Sequence, residues 1–242
     1  MSAVPVVRIV LFTLIPVAVA LAAGLIVAWR RPGPRFDALV QHLAAGVVFA
    51  AATLELLPRE RAEQRLPVII GFALGVVLML AIREIELRQE KRAGKEGLPL
   101  GLMSVTAVDL LIDGVVLGIG FGIGEHTGIL LVAALSLEVL FVGLTIAGAL
   151  RARGVPGWAT VAAPFGISLA LVVGAVAGGL LLPHLSPFSF TLLLGTGTVV
   201  FLYLVTEELL VEAHEHEDSR WSTPAFFGGF LLFLLLEMSL GR

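Results

Sequence analysis

The chain has no cysteine, which excludes disulfides, thiolate metal sites and thiol catalysis. Charge is scarce as well. Only 14% of the 242 residues are charged, where a soluble domain carries about 25%. The net charge of −3 leaves no basic footprint for nucleic acid. No hydrolase triad, phosphate loop or zinc-protease helix is present, and no histidine pair at metal-site spacing lies inside an apolar run. Nucleophilic catalysis therefore has no support, and the chain is not expected to be an enzyme. Its first apolar run ends in Arg30-Arg31 instead of a small-residue cleavage site, so no cleavable signal peptide is expected.

What is present is apolar length. Hydrophobic residues make up 58% of the chain and the mean hydropathy is +1.00. Eight runs are long enough to cross a bilayer, at about 4–29, 37–58, 66–84, 98–124, 127–150, 158–183, 187–213 and 223–240. Lipid requires every backbone polar group to be satisfied internally, so each run is predicted to be a helix. The expected fold is all-α: one polytopic membrane domain over residues 1–242, built as an eight-helix bundle. The charged stretch around 83–96 is expected to be a helix extension followed by a solvated loop.

With eight spans, both termini lie on one side. Eleven of the sixteen Lys and Arg residues fall in loops on the other side, among them Arg30, Arg83, Lys91 and Arg151. The positive-inside rule then puts both termini outside a cell (inner or plasma) membrane.

A faint internal repeat is visible. GVVFAAATLELLPRE, from Gly46 to Glu60, and TVVFLYLVTEELLVE, from Thr198 to Glu212, agree at six of fifteen positions. Glu55 aligns with Glu207, and Glu60 with Glu212. A true repeat would make helices 1–3 and 6–8 inverted copies flanking helices 4 and 5, a 3+2+3 arrangement.

The chemistry concentrates in the fourth run. Asp109 and Asp113 lie four residues apart, hence on one helix face, with no Lys or Arg nearby. An acidic side chain at the bilayer centre costs roughly 2.5–3.5 kcal/mol, so a charged pair costs about 5–7. Such a pair needs a proton or a cation between its members. The bland alternative is two protonated, hydrogen-bonded aspartates. Glycines at 114, 118, 120, 122 and 124 let neighbouring helices approach, which predicts a central place for this span. Glu138 is the only ionisable residue well inside the fifth run. It reads either as a protonated structural group or as the third member of a carboxylate cluster.

Other polar residues are read more plainly. Glu208 and Glu212 share a face of the seventh run, with Glu207 rotated about 100° from Glu208. His214, Glu215, His216, Glu217 and Asp218 follow, as a solvated tail or a weak metal-acceptor patch. Glu55 fits an interfacial position, and His42 a capping or a packing one near the interface. Glu125-His126 reads as a turn, with an entry ligand as the alternative.

These segments resemble the ZIP (zinc/iron permease) family of divalent-metal transporters. HLAAGVVFAAATLELLP, residues 42–58, is similar to the family's run that leads into an acidic residue, two apolar residues and Pro. Phe201-Leu202-Tyr203 with Glu208 and Glu212 matches its seventh-span pattern. Asp109 to Gly114 falls on its His-Asn-x-Pro-Glu-Gly motif. There Asp109 replaces His, Leu110 replaces Asn, Ile112 replaces Pro and Asp113 replaces Glu. The fifth-span motif is nearly gone, with Glu138 falling on its first Glu and Phe141 on its second.

The resemblance implies a transporter importing a divalent ion such as zinc, iron or manganese by alternating access. Asp109, Asp113 and Glu138 would bind the ion, Glu208 would close the shell, and Glu55 and Glu212 would line the entry and release routes. Lost histidines leave an oxygen-rich site, which implies a single metal and a shift towards harder ions. Lipid bilayer and metal cargo are the expected partners, no resident cofactor is expected, and abundant small residues allow a homodimer. Three alternatives stay open: a non-transporting or sensory homologue, a proton-coupled carrier of another solute, and a membrane-embedded metal-dependent hydrolase.

Overall fold

The structure is a computed structural model that describes residues 6–30, 33–61, 64–92, 100–211 and 221–240. Among these residues it is helical throughout, with no strand. Eight helices are long and apolar enough to cross a membrane. They are α1 (Val6–Trp29), α2 (Pro34–Ala50), α3 (Arg65–Arg92), α4 (Leu100–Ile123), α5 (Glu125–Ala152), α6 (Gly157–Leu181), α7 (Pro187–Tyr203) and α8 (Ser222–Leu240).

Local chemistry sets the boundaries. α2 follows Gly33 with proline at its start and Asp37 in its first turn, where a negative charge suits the exposed N–H groups. α7 begins after Ser186, whose hydroxyl accepts from the Ser189 N–H at 3.2 Å, with Pro187 next in line. Gly154 follows α5 in the left-handed region, at φ 73°. α3 runs on beyond its apolar stretch to Arg92, and the Glu84–Arg88 pair at 2.7 Å supports that extension. The turn expected at Glu125-His126 is tighter than a loop: Gly124 alone separates α4 from α5.

Two helices carry a wider turn at one end. α2 passes into a π-helical segment, Ala51–Leu56, where the Leu57 N–H bonds to the Ala52 carbonyl. A short helix over Leu57–Arg61 continues it. α7 does the same over Leu204–Leu209, where the Leu210 N–H bonds to the Val205 carbonyl. Such five-residue turns are rare and concentrate at functional sites.

Packing does not follow sequence order. α4 lies against α6, and α1 against both α5 and α6. α3 pairs with α7, and α2 with α8. The three helices of each expected unit, α1–α3 and α6–α8, make few contacts among themselves. Glycine explains the tightest pairings. A Cβ at Gly114 would lie 2.2 Å from the Leu171 carbonyl oxygen, and one at Gly174 would lie 2.0 Å from that of Leu111. Gly118 and Gly178 repeat the pattern one turn on, so α4 and α6 meet backbone to backbone. Gly46 and Gly229 do the same for α2 and α8, where Phe49 also packs against Phe226 and Phe230. α5 is largely buried, while α3 and α8 turn most of their apolar surface outward.

Candidate metal centre

α4 and α5 build the centre. Asp109 and Asp113 project from one face of α4 and Glu138 from the facing side of α5. Each offers a carboxylate oxygen, and these oxygens all lie within 4.8 Å of one another. All three side chains are buried, Asp113 and Glu138 completely. No hydroxyl, amide or cationic group among the described residues donates to either oxygen of Asp113 or of Glu138. The apolar residues beside them in sequence are buried as well: Leu110, Leu135 and Val139 are each no more than 1% exposed. The helix period accounts for the geometry. Four residues bring Asp113 back over Asp109, and the Gly114 contact draws α4 against α6 at the same level.

Three buried carboxylates this close, two of them with no hydroxyl, amide or cationic donor among the described residues, could share a cation or protons. A divalent cation fits, because hard ions take carboxylate oxygens. Protons fit the same geometry with less specificity. Each pair of charges at 4.8 Å repels by about 3–4 kcal/mol at an effective dielectric near 20.

Of the other sequence-predicted residues, Glu208 lies near enough for its charge to act on Asp113, while Glu207, Glu55 and His42 have other neighbours. Glu208 is half-buried in the π-helical segment of α7 and is not one of the three. Glu207, on the next position, turns to α3, where Arg83 Nη1 donates to its carboxylate at 2.9 Å. Glu55 is buried at the far end of α2 and accepts from the Thr127 hydroxyl at 2.9 Å. Its other oxygen faces His126 Nδ1 at 4.0 Å. His42 is buried, with Nδ1 bonded to the Ala38 carbonyl at 2.8 Å, as suits a packing residue. Glu212, His214, Glu215, His216, Glu217 and Asp218 lie outside the described residues.

Four residues escaped the sequence reading as participants. Glu60 is buried and accepts from Thr198 of α7, and burial raises its carboxyl above the usual range despite that bond. Gln41 is buried with neither amide atom bonded. Thr127 and Arg8 hold Glu55 and Glu125 respectively, the latter at 2.9 Å. Only Glu60 left a signal in the sequence, by aligning with Glu212 in the repeat. The chain matches no protein-family model and no curated protein.

Proposed function

We propose that this chain is a divalent-cation transporter that binds its ion between α4 and α5. The observation that carries this reading is the three buried carboxylates within 4.8 Å of one another, set in apolar helices with no donor to Asp113 or Glu138. Acidic groups placed so deep are costly unless they serve an ion or a proton pathway. Asp109, Asp113 and Glu138 bind the dehydrated ion. Glu208, half-buried on α7, approaches the same shell when the helices shift. The resemblance to the ZIP family fits this arrangement and remains part of the proposal.

An inverted repeat of helices 1–3 and 6–8 is supported by two features. The π-helical segments Ala51–Leu56 and Leu204–Leu209 fall within one residue of register in the aligned sequences. The pairing of α3 with α7 also becomes that of α8 with α2 when the two halves are exchanged, and α1 with α5 becomes α6 with α4. In a transporter of this build the ion site sits where the halves meet.

The division that matters for movement is not the three-helix unit. Backbone-close contacts join α4 to α6, and α1 to α6 through Gly24. α2 and α8 form a separate tight pair, as do α3 and α7. α1, α4, α5 and α6 would therefore shift as one body carrying the ion. Both termini face outside and the ion moves inward, in a cell membrane, by the distribution of Lys and Arg and by the resemblance.

Uptake into liposomes tests the proposal. Purified protein is reconstituted and offered Mn²⁺, Fe²⁺, Zn²⁺, Co²⁺ and Cd²⁺, with Asp109→Ala and Asp113→Ala beside it. Saturable uptake that either substitution abolishes is expected. No uptake of any ion by correctly folded protein refutes the reading and favours a non-transporting role.

A further inference from the structure

A second arrangement of ligand atoms lies at the other end of α4, where Gly124 turns the chain into α5. Glu55 reaches it from the π-helical segment of α2. The Thr127 hydroxyl donates to Glu55 Oε2 at 2.9 Å and fixes the carboxylate plane. That leaves Oε1 directed at His126 Nδ1, 4.0 Å away. The separation is too long for a hydrogen bond. Two atoms that share a tetrahedral ion at bonds of about 2.0–2.2 Å sit about 3.3–3.6 Å apart, so an inward shift of about half an ångström lets both reach one ion. The imidazole is not committed elsewhere: Nε2 is buried without a partner. His126 is also the one basic side chain within 4.0 Å of the buried Glu55 carboxylate among the described residues.

We propose that Glu55 and His126 form a second divalent-cation site, bridging α2 and α5, with Thr127 as the residue that positions the carboxylate. The mixed oxygen and nitrogen donors differ from the all-carboxylate centre. They suit Zn²⁺ and its neighbours in the series, for which imidazole is a good ligand. Two protein ligands leave the remaining positions to water, so the ion is held weakly and exchanges fast. The proposal rests on the transporter reading for its role, as a station along the ion's route. As a binding site it stands independently.

Binding to the full-length chain in detergent tests it, with Zn²⁺ as the probe. Asp109→Asn, Asp113→Asn and Glu138→Gln together remove charge from the central cluster. In that background about one Zn²⁺ should remain bound, and adding Glu55→Gln or His126→Gln should weaken it at least tenfold. Co²⁺ in place of Zn²⁺ should give a visible absorption band that His126→Gln shifts. If the triple variant does not fold, the same two substitutions in the parent chain should reduce two bound Zn²⁺ to one. Zn²⁺ binding that neither substitution changes overturns the pair, as does no binding beyond the central cluster. Uptake is read separately. Zn²⁺ held by this pair without any uptake leaves the pair standing and refutes the transporter reading. Uptake without Zn²⁺ here does the reverse.

Discussion

Replacing Asp113 with asparagine should change the stability of this protein in opposite directions with and without metal. Asp113 is fully buried, and among the described residues no hydroxyl, amide or cation donates to its oxygens. Its carboxylate lies within 4.8 Å of those of Asp109 and Glu138. Each charged pair at that distance repels by about 3–4 kcal/mol at an effective dielectric near 20. Asparagine of the same shape removes two such pairs. Any proton shared among the three would relieve part of that repulsion, so the expected gain is a fraction of the sum, about 1–3 kcal/mol. Metal reverses the order. An ion at a hundred times its dissociation constant stabilises the parent by about 2.7 kcal/mol, and the variant, short of one charged ligand, gains much less. The assay is thermal unfolding in detergent, with chelator and with saturating Mn²⁺ or Zn²⁺. The expected result is a higher midpoint for Asp113→Asn in chelator and a smaller metal-induced rise. A metal-induced rise equal to the parent's would refute Asp113 as a ligand. A lower midpoint in chelator would refute the repulsion argument.

Four other outcomes are expected. Gly118→Ala should destabilise by about 1–3 kcal/mol by overpacking, because the new Cβ would sit 2.2 Å from the Ala175 carbonyl oxygen. Gly166→Ala, where nothing lies within 4 Å, should leave the unfolding midpoint unchanged or slightly higher. Glu60→Gln should stabilise the protein at pH 8 and have no effect near pH 4. Burial raises the Glu60 carboxyl, so its contribution to stability is present at low pH and lost as pH rises through the folded value; an unfolding series over pH 4–8 reads this. Thr127→Val should cost about 1.5–3 kcal/mol by taking from the buried Glu55 its only hydroxyl donor among the described residues. Thr53→Val serves as its control and should cost much less, since Thr53 bonds only its own helix carbonyls.

The eight spans were legible because lipid leaves one backbone solution for an apolar run, and length then finds it. The pair on α4 was legible for the same kind of reason: a period of four is local, and an acidic residue in an apolar run is conspicuous. Glu138 could be named but not placed, because its meeting with Asp113 depends on how α5 rotates against α4. That rotation follows from a turn of a single residue, Gly124. Glu60 sits beyond Pro58 and beside charged neighbours, so local pattern made it an exposed end. Its burial comes from Thr198 on a helix far away in sequence. Gln41 left no trace at all, since one neutral amide in an apolar helix breaks no pattern. Helix pairing was equally invisible. Glycines at 114 and 118 announce that something comes close, and only the fold says that it is Gly174 and Gly178 of α6.

That last pairing bears on how an ion could move. Glycine against glycine lets two helix backbones touch, and such a contact has no slack: sliding by a fraction of a turn would drive a carbonyl into a Cα. α4 and α6 meet in this way over two successive turns. α2 meets α5 differently. Among the described residues their side-chain hydrogen bond is the single one from Thr127 to Glu55, and it sits where α2 widens into a π-helical turn. A hydroxyl–carboxylate bond breaks and reforms at a cost of about 1.5–3 kcal/mol, less than separating two backbones packed on glycine. Movement should therefore open α2 from α5 and leave α4 on α6. Under the proposed transport, Asp109, Asp113 and Glu138 would then travel together with the cluster intact, and a ligand exchanged between states would come from Glu208, on the second π-helical turn of α7.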